Sequence, residues 1–176
     1  MEAGQSLEGT GKTIAVLPSA IDNIVPASNK TLAANILKTG GCIISEYEPG
    51  LGVATWHFVA RNRIIAGLSP ATVVIESPPG SGALITADFA LEYDRDLMFH
   101  ESAVCEQANK LSEAVKSQLE KDFASGKVSK YKVENSLKKF LDAGAPIIKD
   151  YKDYCECLAE EPGKRSNQTI QTMLFD

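Results

Sequence analysis

The chain reads as an α/β protein built on a doubly wound, mostly parallel sheet with a C-terminal helical extension. Three observations predict this class. Short strand-like runs recur at 13–17, 42–45, 71–76 and 95–99, with helical patterns between them. The run at 71–76 is rich in β-branched residues, as a buried strand is. A stiff Pro78-Pro79-Gly80-Ser81-Gly82 loop joins one run directly to a helical pattern. Strands alternating with helices imply right-handed crossovers, and ligands of such sheets bind beyond the carboxyl ends of the strands. The loops at 18–30, 46–60 and 77–82 are the ones expected there.

Taken in order, Thr13 to Leu17 reads as a buried strand that Pro18-Ser19-Ala20 ends. Asp22 and Pro26 to Asn29 form a turn. Lys30 to Lys38 is a short helix with Leu32, Ile36 and Leu37 inward, stopped by Gly40-Gly41. Cys42 to Ser45 is the next strand. A helix carries Ile64, Ile65 and Leu68 as its stripe, with Arg61 in its first turn. Ala71 to Glu76 is a strand, Ala83 to Tyr93 a helix, and Arg95 to Phe99 a strand. Residues 1–100 therefore form the sheet-bearing core.

From Glu101 the composition changes. Leu111, Val115, Leu119 and Phe123 recur every four residues in an amphipathic helix that ends near Gly126. A second helix with Val133, Leu137, Phe140 and Leu141 inward ends at Gly144. Residues 146–148 read as a short strand and 151–158 as a closing helix. Residues 101–158 thus form a helical insertion and closing segment, suited to covering a sheet edge or making a dimer contact. The polar stretch 159–176 is expected to be a disordered tail.

Composition narrows the function. A 176-residue chain that is 44% hydrophobic supports one domain with a real core. A net charge of −5 excludes coating nucleic acid by bulk charge, so any such binding needs a local basic patch. The sequence shows no apolar signal segment and no run of transmembrane length, and no membrane role is expected. Cys42, Cys105, Cys155 and Cys157 read as free thiols of a reducing cytoplasm. Cys155 and Cys157 lack a second ligand pair, so no metal or other cofactor is expected. His57 and His100 read as structural.

Two features point to an anion. The 77–82 loop between strand and helix can offer backbone N–H groups and a helix dipole, although the same sequence serves a tight connection with no ligand. It is neither a Walker A motif nor G-x-G-x-x-G. Arg61 in a first helical turn is opposed by the helix dipole unless an anion lies nearby. The competing assignment is an ion pair with Glu46 or Glu76. Arg63 points to the other side of that helix.

The run HFVARNRIIAGLS (57–69), a strand, then GSGALITA (80–87) resembles the core signature of the DprA/Smf family of bacterial DNA-processing proteins. Further matching pieces are Thr13-Ile-Ala-Val-Leu17, Ile21-Asp22, Pro26, Asn29, Ile44-Ser45-Glu46-Tyr47 and Pro49-Gly50. The resemblance covers Lys12 to about Phe99, with an echo at Leu141 to Ala145. It implies a partial Rossmann-like domain. The family's N-terminal helical domain, its opening β–α units and its C-terminal winged helix have no counterpart here. Pro18 and Ala20 stand where most members carry glycines, so that loop is expected to approach a phosphate less closely. The resemblance implies a cytoplasmic protein of natural transformation that binds single-stranded DNA, assists loading of the RecA recombinase and forms a homodimer. The implied DNA contacts are Asn29, Lys30, Arg61, Asn62, Arg63 and the Gly80-Ser81-Gly82 backbone.

No catalytic set is evident: no nucleophile elbow, no H-E-x-x-H and no paired metal ligands occur. The alternative is nucleotide binding or hydrolysis as in the related lonely-guy-like proteins. Aligned on their P-G-G-x-G-T-x-x-E motif, this chain carries Ala83 and Thr86 where the threonine and glutamate stand, so the carboxylate is gone. A binding protein is the preferred reading, not an enzyme. The tail ends Gln171-Thr-Met-Leu-Phe175, which resembles the Q-x-x-L-F peptide that docks on sliding clamps. Gln171 would fix its register, and Leu174 and Phe175 would fill an apolar pocket. The competing reading folds Met173, Leu174 and Phe175 back on the domain.

Overall fold

Short β-branched segments become strands where a neighbour completes their backbone hydrogen bonds. The computed structural model describes residues 12–159 and divides at Ile65 into two units. In the first unit, strand β1 (Ile14–Val16) runs parallel to β2 (Cys42–Ile44), with Ile14 opposite Cys42 and Val16 opposite Ile44. A 3-10 turn (Ala27–Asn29) leads into helix α1 (Lys30–Lys38), the crossover between the strands. Gly41 is required by space: a Cβ there would strike Thr13 O and Ile36, so any larger residue would push β2 off β1. Helices α2 (Thr55–Ala60) and α3 (Asn62–Gly67) follow, and the division falls within α3.

The second unit holds β3 (Ala71–Val74), α4 (Gly82–Glu92) and β4 (Asp96–His100). A 3-10 turn at Glu101–Val104 leads to α5 (Glu106–Ala124), α6 (Lys130–Glu134) and α7 (Leu137–Asp142). Strand β5 (Ile147–Ile148) and α8 (Tyr151–Ala159) close it. The sheet order is β3-β4-β5, all parallel. Its core gathers Val74, Leu84, Leu97 and Phe99 around Phe140, whose ring lies 5.8 Å from that of Phe99. The α/β class with parallel strands is thus as the sequence implies.

Several details differ from expectation. The strands form a two-stranded sheet in the first unit and a three-stranded sheet in the second. The helix expected through Arg61 begins earlier, at Thr55, and breaks at Arg61. The helix expected over the Val133–Leu141 stripe breaks at Asn135, whose ψ of 91° turns its carbonyl toward Gly80 N–H at 2.8 Å. That contact links the insertion to the Pro78–Gly82 loop rather than to a sheet edge. Leu37, Leu111 and Phe123, expected inward, are exposed, while Leu119 on the same stripe is buried. The four cysteines are free. Among the described residues no helix is long and apolar enough to cross a membrane. The tail residues Gln171, Leu174 and Phe175 lie outside the described residues.

Candidate nucleic-acid interface

In the first unit the chain leaves the carboxyl end of β1 through Pro18, Ser19 and Ala20, all buried. Ser19 Oγ donates to Asn23 O, and Ser45 Oγ donates to Ser19 O at 2.6 Å, tying this loop to the end of β2. Buried His57 lies with Nδ1 3.1 Å from Pro18 O, and its ring stacks on Tyr47 at 4.0 Å. His57 is therefore structural, as its sequence context suggested. Trp56 packs edge-on against the same imidazole at 4.2 Å yet stays 62% exposed. The outcome is a braced shelf whose outer ring is an indole.

Arg61 sits at the C-cap of α2, not in a first turn. The helix dipole there favours a cation, so the unfavourable placement inferred from sequence does not arise. Its Nη1 donates to Val16 O at 2.6 Å, and its guanidinium lies 5.8 Å from the Phe58 ring centre. Nε is buried without a hydrogen-bond partner. Burial pushes its pKa below the usual arginine value, which marks a cation short of compensation. Among the described residues no carboxylate pairs with it, and Glu46 is engaged by Arg63. Asn29 and Arg61 line one cavity of about 420 Å³, walled mostly by apolar side chains of β1, α1 and the 24–26 turn. Lys30 follows Asn29, exposed and without an ion pair among the described residues. Asn62 is half-buried on the first turn of α3.

In the second unit the glycine loop is already engaged. Gly80 N–H is taken by Asn135 O, and Ser81 Oγ caps α4 by accepting from Leu84 N–H at 3.5 Å and meets Ser77 Oγ. Gly82 is exposed with open space around it. Tyr131 donates to Asp88 at 2.6 Å and Lys139 pairs with the same carboxylate, so α6 and α7 are clamped over α4. Burial, then the Asp88 contact, pushes the Tyr131 phenol up to about 12. Thr86 Oγ1 bonds Gly82 O at 3.3 Å, where the aligned hydrolases carry glutamate. Among the described residues no cluster could hold a metal ion.

The fold and these contacts can be set beside known proteins. A family model described as DNA recombination-mediator protein A matches residues 2–157. The chain belongs to this family. Protein Smf of Borreliella burgdorferi is 34% identical over 148 residues, 83% of this chain and 44% of that one. Protein Smf of Synechocystis is 50% identical over 91 residues, 52% of this chain and 23% of that one. The solved DNA processing protein A of Streptococcus pneumoniae aligns with a TM-score of 0.58 and 28% identity, over 85% of this chain and 44% of that one. The Helicobacter pylori DNA processing protein A shares the fold, with a TM-score of 0.57 at 22% identity, over 85% of this chain and 57% of that one. The chain spans less than half the length of the curated relatives it matches.

Within this member of the recombination-mediator family, the first unit brings together Asn29 and Arg61. Arg63 is committed to Glu46, and Gly80 to the insertion. Sequence reasoning passed over Trp56 and Phe58. The available signal was the chain's single tryptophan, two aromatics placed in the same segment as Arg61 and Arg63.

Proposed function

We propose that this chain is a DNA-processing protein that binds single-stranded DNA through the carboxyl-end face of its first unit. The observation that carries the reading is Arg61. It is a half-buried guanidinium with no carboxylate among the described residues and an unpartnered Nε, next to an aromatic segment with exposed Trp56. Phosphates neutralise such cations, and aromatic faces stack bases of any sequence. Lys30 adds a mobile charge near the entrance to the strand ends, and Asn29 and Asn62 add neutral donors. The Helicobacter pylori relative is a protein characterised for its single-stranded DNA binding mode, which supports carrying that substrate class to this chain. With loss of the hydrolase carboxylate at Thr86, the role is binding rather than catalysis. Loading of RecA during natural transformation, and self-association as a homodimer, complete the proposed role.

Gel-shift titration with single-stranded oligonucleotides across a salt series tests it. Arg61→Ala with Lys30→Ala should weaken binding and flatten the salt slope by about two phosphates. Trp56→Ala should cost about five- to a hundredfold in affinity with the salt slope unchanged. Wild-type affinity in the double variant would remove this site.

A further inference from the structure

From Lys127 to Lys139 the second unit carries five lysines against one glutamate, in a chain whose net charge is −5. Where a surface lysine of this unit has a carboxylate one helical turn away, the two can pair, as Lys110 does with Glu106, Lys130 with Glu134 and Lys152 with Glu156. Lys139 is drawn to Asp88, and Lys138 has Asp142 one turn further along α7. Lys127 and Lys132 differ. Neither has a carboxylate three or four residues to either side. Both are exposed and without an ion pair among the described residues. Their charge is left to solvent or to a ligand.

The fold holds Lys132 at the end of the sheet where ligands of parallel strands bind. Asn135 O accepts from Gly80 N–H at 2.8 Å, and a Cβ built on Gly80 would lie 2.7 Å from Lys132 Cγ. The stem of Lys132 thus rests on the Pro78–Gly82 loop beyond the carboxyl end of β3, while the residue stays exposed. Tyr131 donates to Asp88 at 2.6 Å, which fixes the short α6 against α4. Lys127 precedes Lys132 by five residues, a reach of at most about 18 Å along the chain. Tyr131 stands between them, 48% exposed, with Lys139 Nζ 6.0 Å from its ring centre. All these groups belong to the second unit.

We propose that Lys127, Lys132 and Tyr131 form a second contact for single-stranded DNA, on the α5–α6 segment of the second unit. Two ammonium groups without protein counter-charge match backbone phosphates. A half-exposed ring between them matches an unpaired base, which a duplex keeps stacked inside. The contact rests on the DNA reading above and shares no residue with the Arg61 site.

Fluorescence polarisation of a labelled single-stranded oligonucleotide against the full chain, across a salt series, tests it. Lys127→Gln with Lys132→Gln should lower the salt slope by about 1.4, two phosphates at about 0.7 each, which is about 25-fold in affinity at roughly 0.1 M salt. Lys110→Gln with Lys152→Gln removes as much charge from the same unit, at lysines already paired, and should leave the slope unchanged. Tyr131→Phe and Tyr131→Leu both lose the bond to Asp88, so a weakening of about fivefold or more in the leucine variant alone reads the ring. Circular dichroism should be unchanged in the lysine variants. Wild-type affinity and slope in the Lys127, Lys132 double variant overturn this contact, and so does an equal loss in the Lys110, Lys152 control. If the Arg61 and Lys30 substitutions weaken binding while this pair does not, only this inference falls. The reverse leaves it standing and removes the first-unit site. A wild type that does not bind single strands overturns both. Equal weakening against a duplex of the same length overturns the single-strand assignment.

Discussion

Gly80→Ala distinguishes a loop that cradles phosphate from a loop that is closed by the protein itself. Gly80 has φ of +69°, a left-handed conformation that costs an L-residue about 1–2 kcal/mol. An added Cβ would lie 2.7 Å from both Lys132 Cγ and Lys132 O. The side chain can swing away, but the carbonyl belongs to α6 and moves only with the backbone. That movement strains the Gly80 N–H bond to Asn135 O, worth about 0.5–1.5 kcal/mol. The sum is a loss of roughly 1.5–3.5 kcal/mol, read as a fall in the urea midpoint followed by circular dichroism. Gly82→Ala supplies the control, since nothing lies within 4 Å of its Cβ position and it starts α4. It should be neutral within about 0.5 kcal/mol. If both substitutions leave the midpoint unchanged while both abolish DNA binding, the loop is a phosphate cradle and the closure argued here is wrong.

Two other predictions concern the second unit. Phe140→Ala should cost about 3–5 kcal/mol in the same unfolding assay, because a fully buried ring packed on Phe99 leaves a cavity; a loss under about 1 kcal/mol would mean that α7 is peripheral to the core. Tyr131 has a folded pKa raised to about 12 from 10.0, so its neutral form is the one the fold favours. Its contribution is present in full below pH 10 and is lost as pH rises through 12. Spectrophotometric titration should therefore show a late-ionising tyrosine that Tyr131→Phe removes, and the variant's stability should fall less steeply than wild type over that alkaline range.

The first three strands were legible because each is a short apolar run with a Gly or Pro beside it, and the structure keeps all the strands within a residue or two. The helix breaks were not. Ile64 and Ile65 continue an apolar period past Arg61, and Leu137 and Phe140 continue one past Asn135. At Asn135 the cause is tertiary: its carbonyl turns to reach Gly80 N–H, whereas at Arg61 the backbone stays helical and only the side chain reaches Val16 O, 45 residues away. Periodicity records which face is apolar, not which distant backbone group will compete for a carbonyl. The exposed Leu111 and Phe123 make the same point in reverse, since a repeat of four describes a stripe but not whether anything covers it.

Arg61 is short of negative charge for a different physical reason than its sequence position suggests. A cation in a first helical turn would demand an anion to offset the dipole. The observed C-cap position removes that demand, yet the side chain is still short of negative charge. The shortage now comes from burial: one carbonyl accepts from Nη1, a ring lies under the guanidinium, and Nε has no acceptor. The phosphate of a bound single strand, proposed above, supplies the missing charge at the carboxyl end of β1.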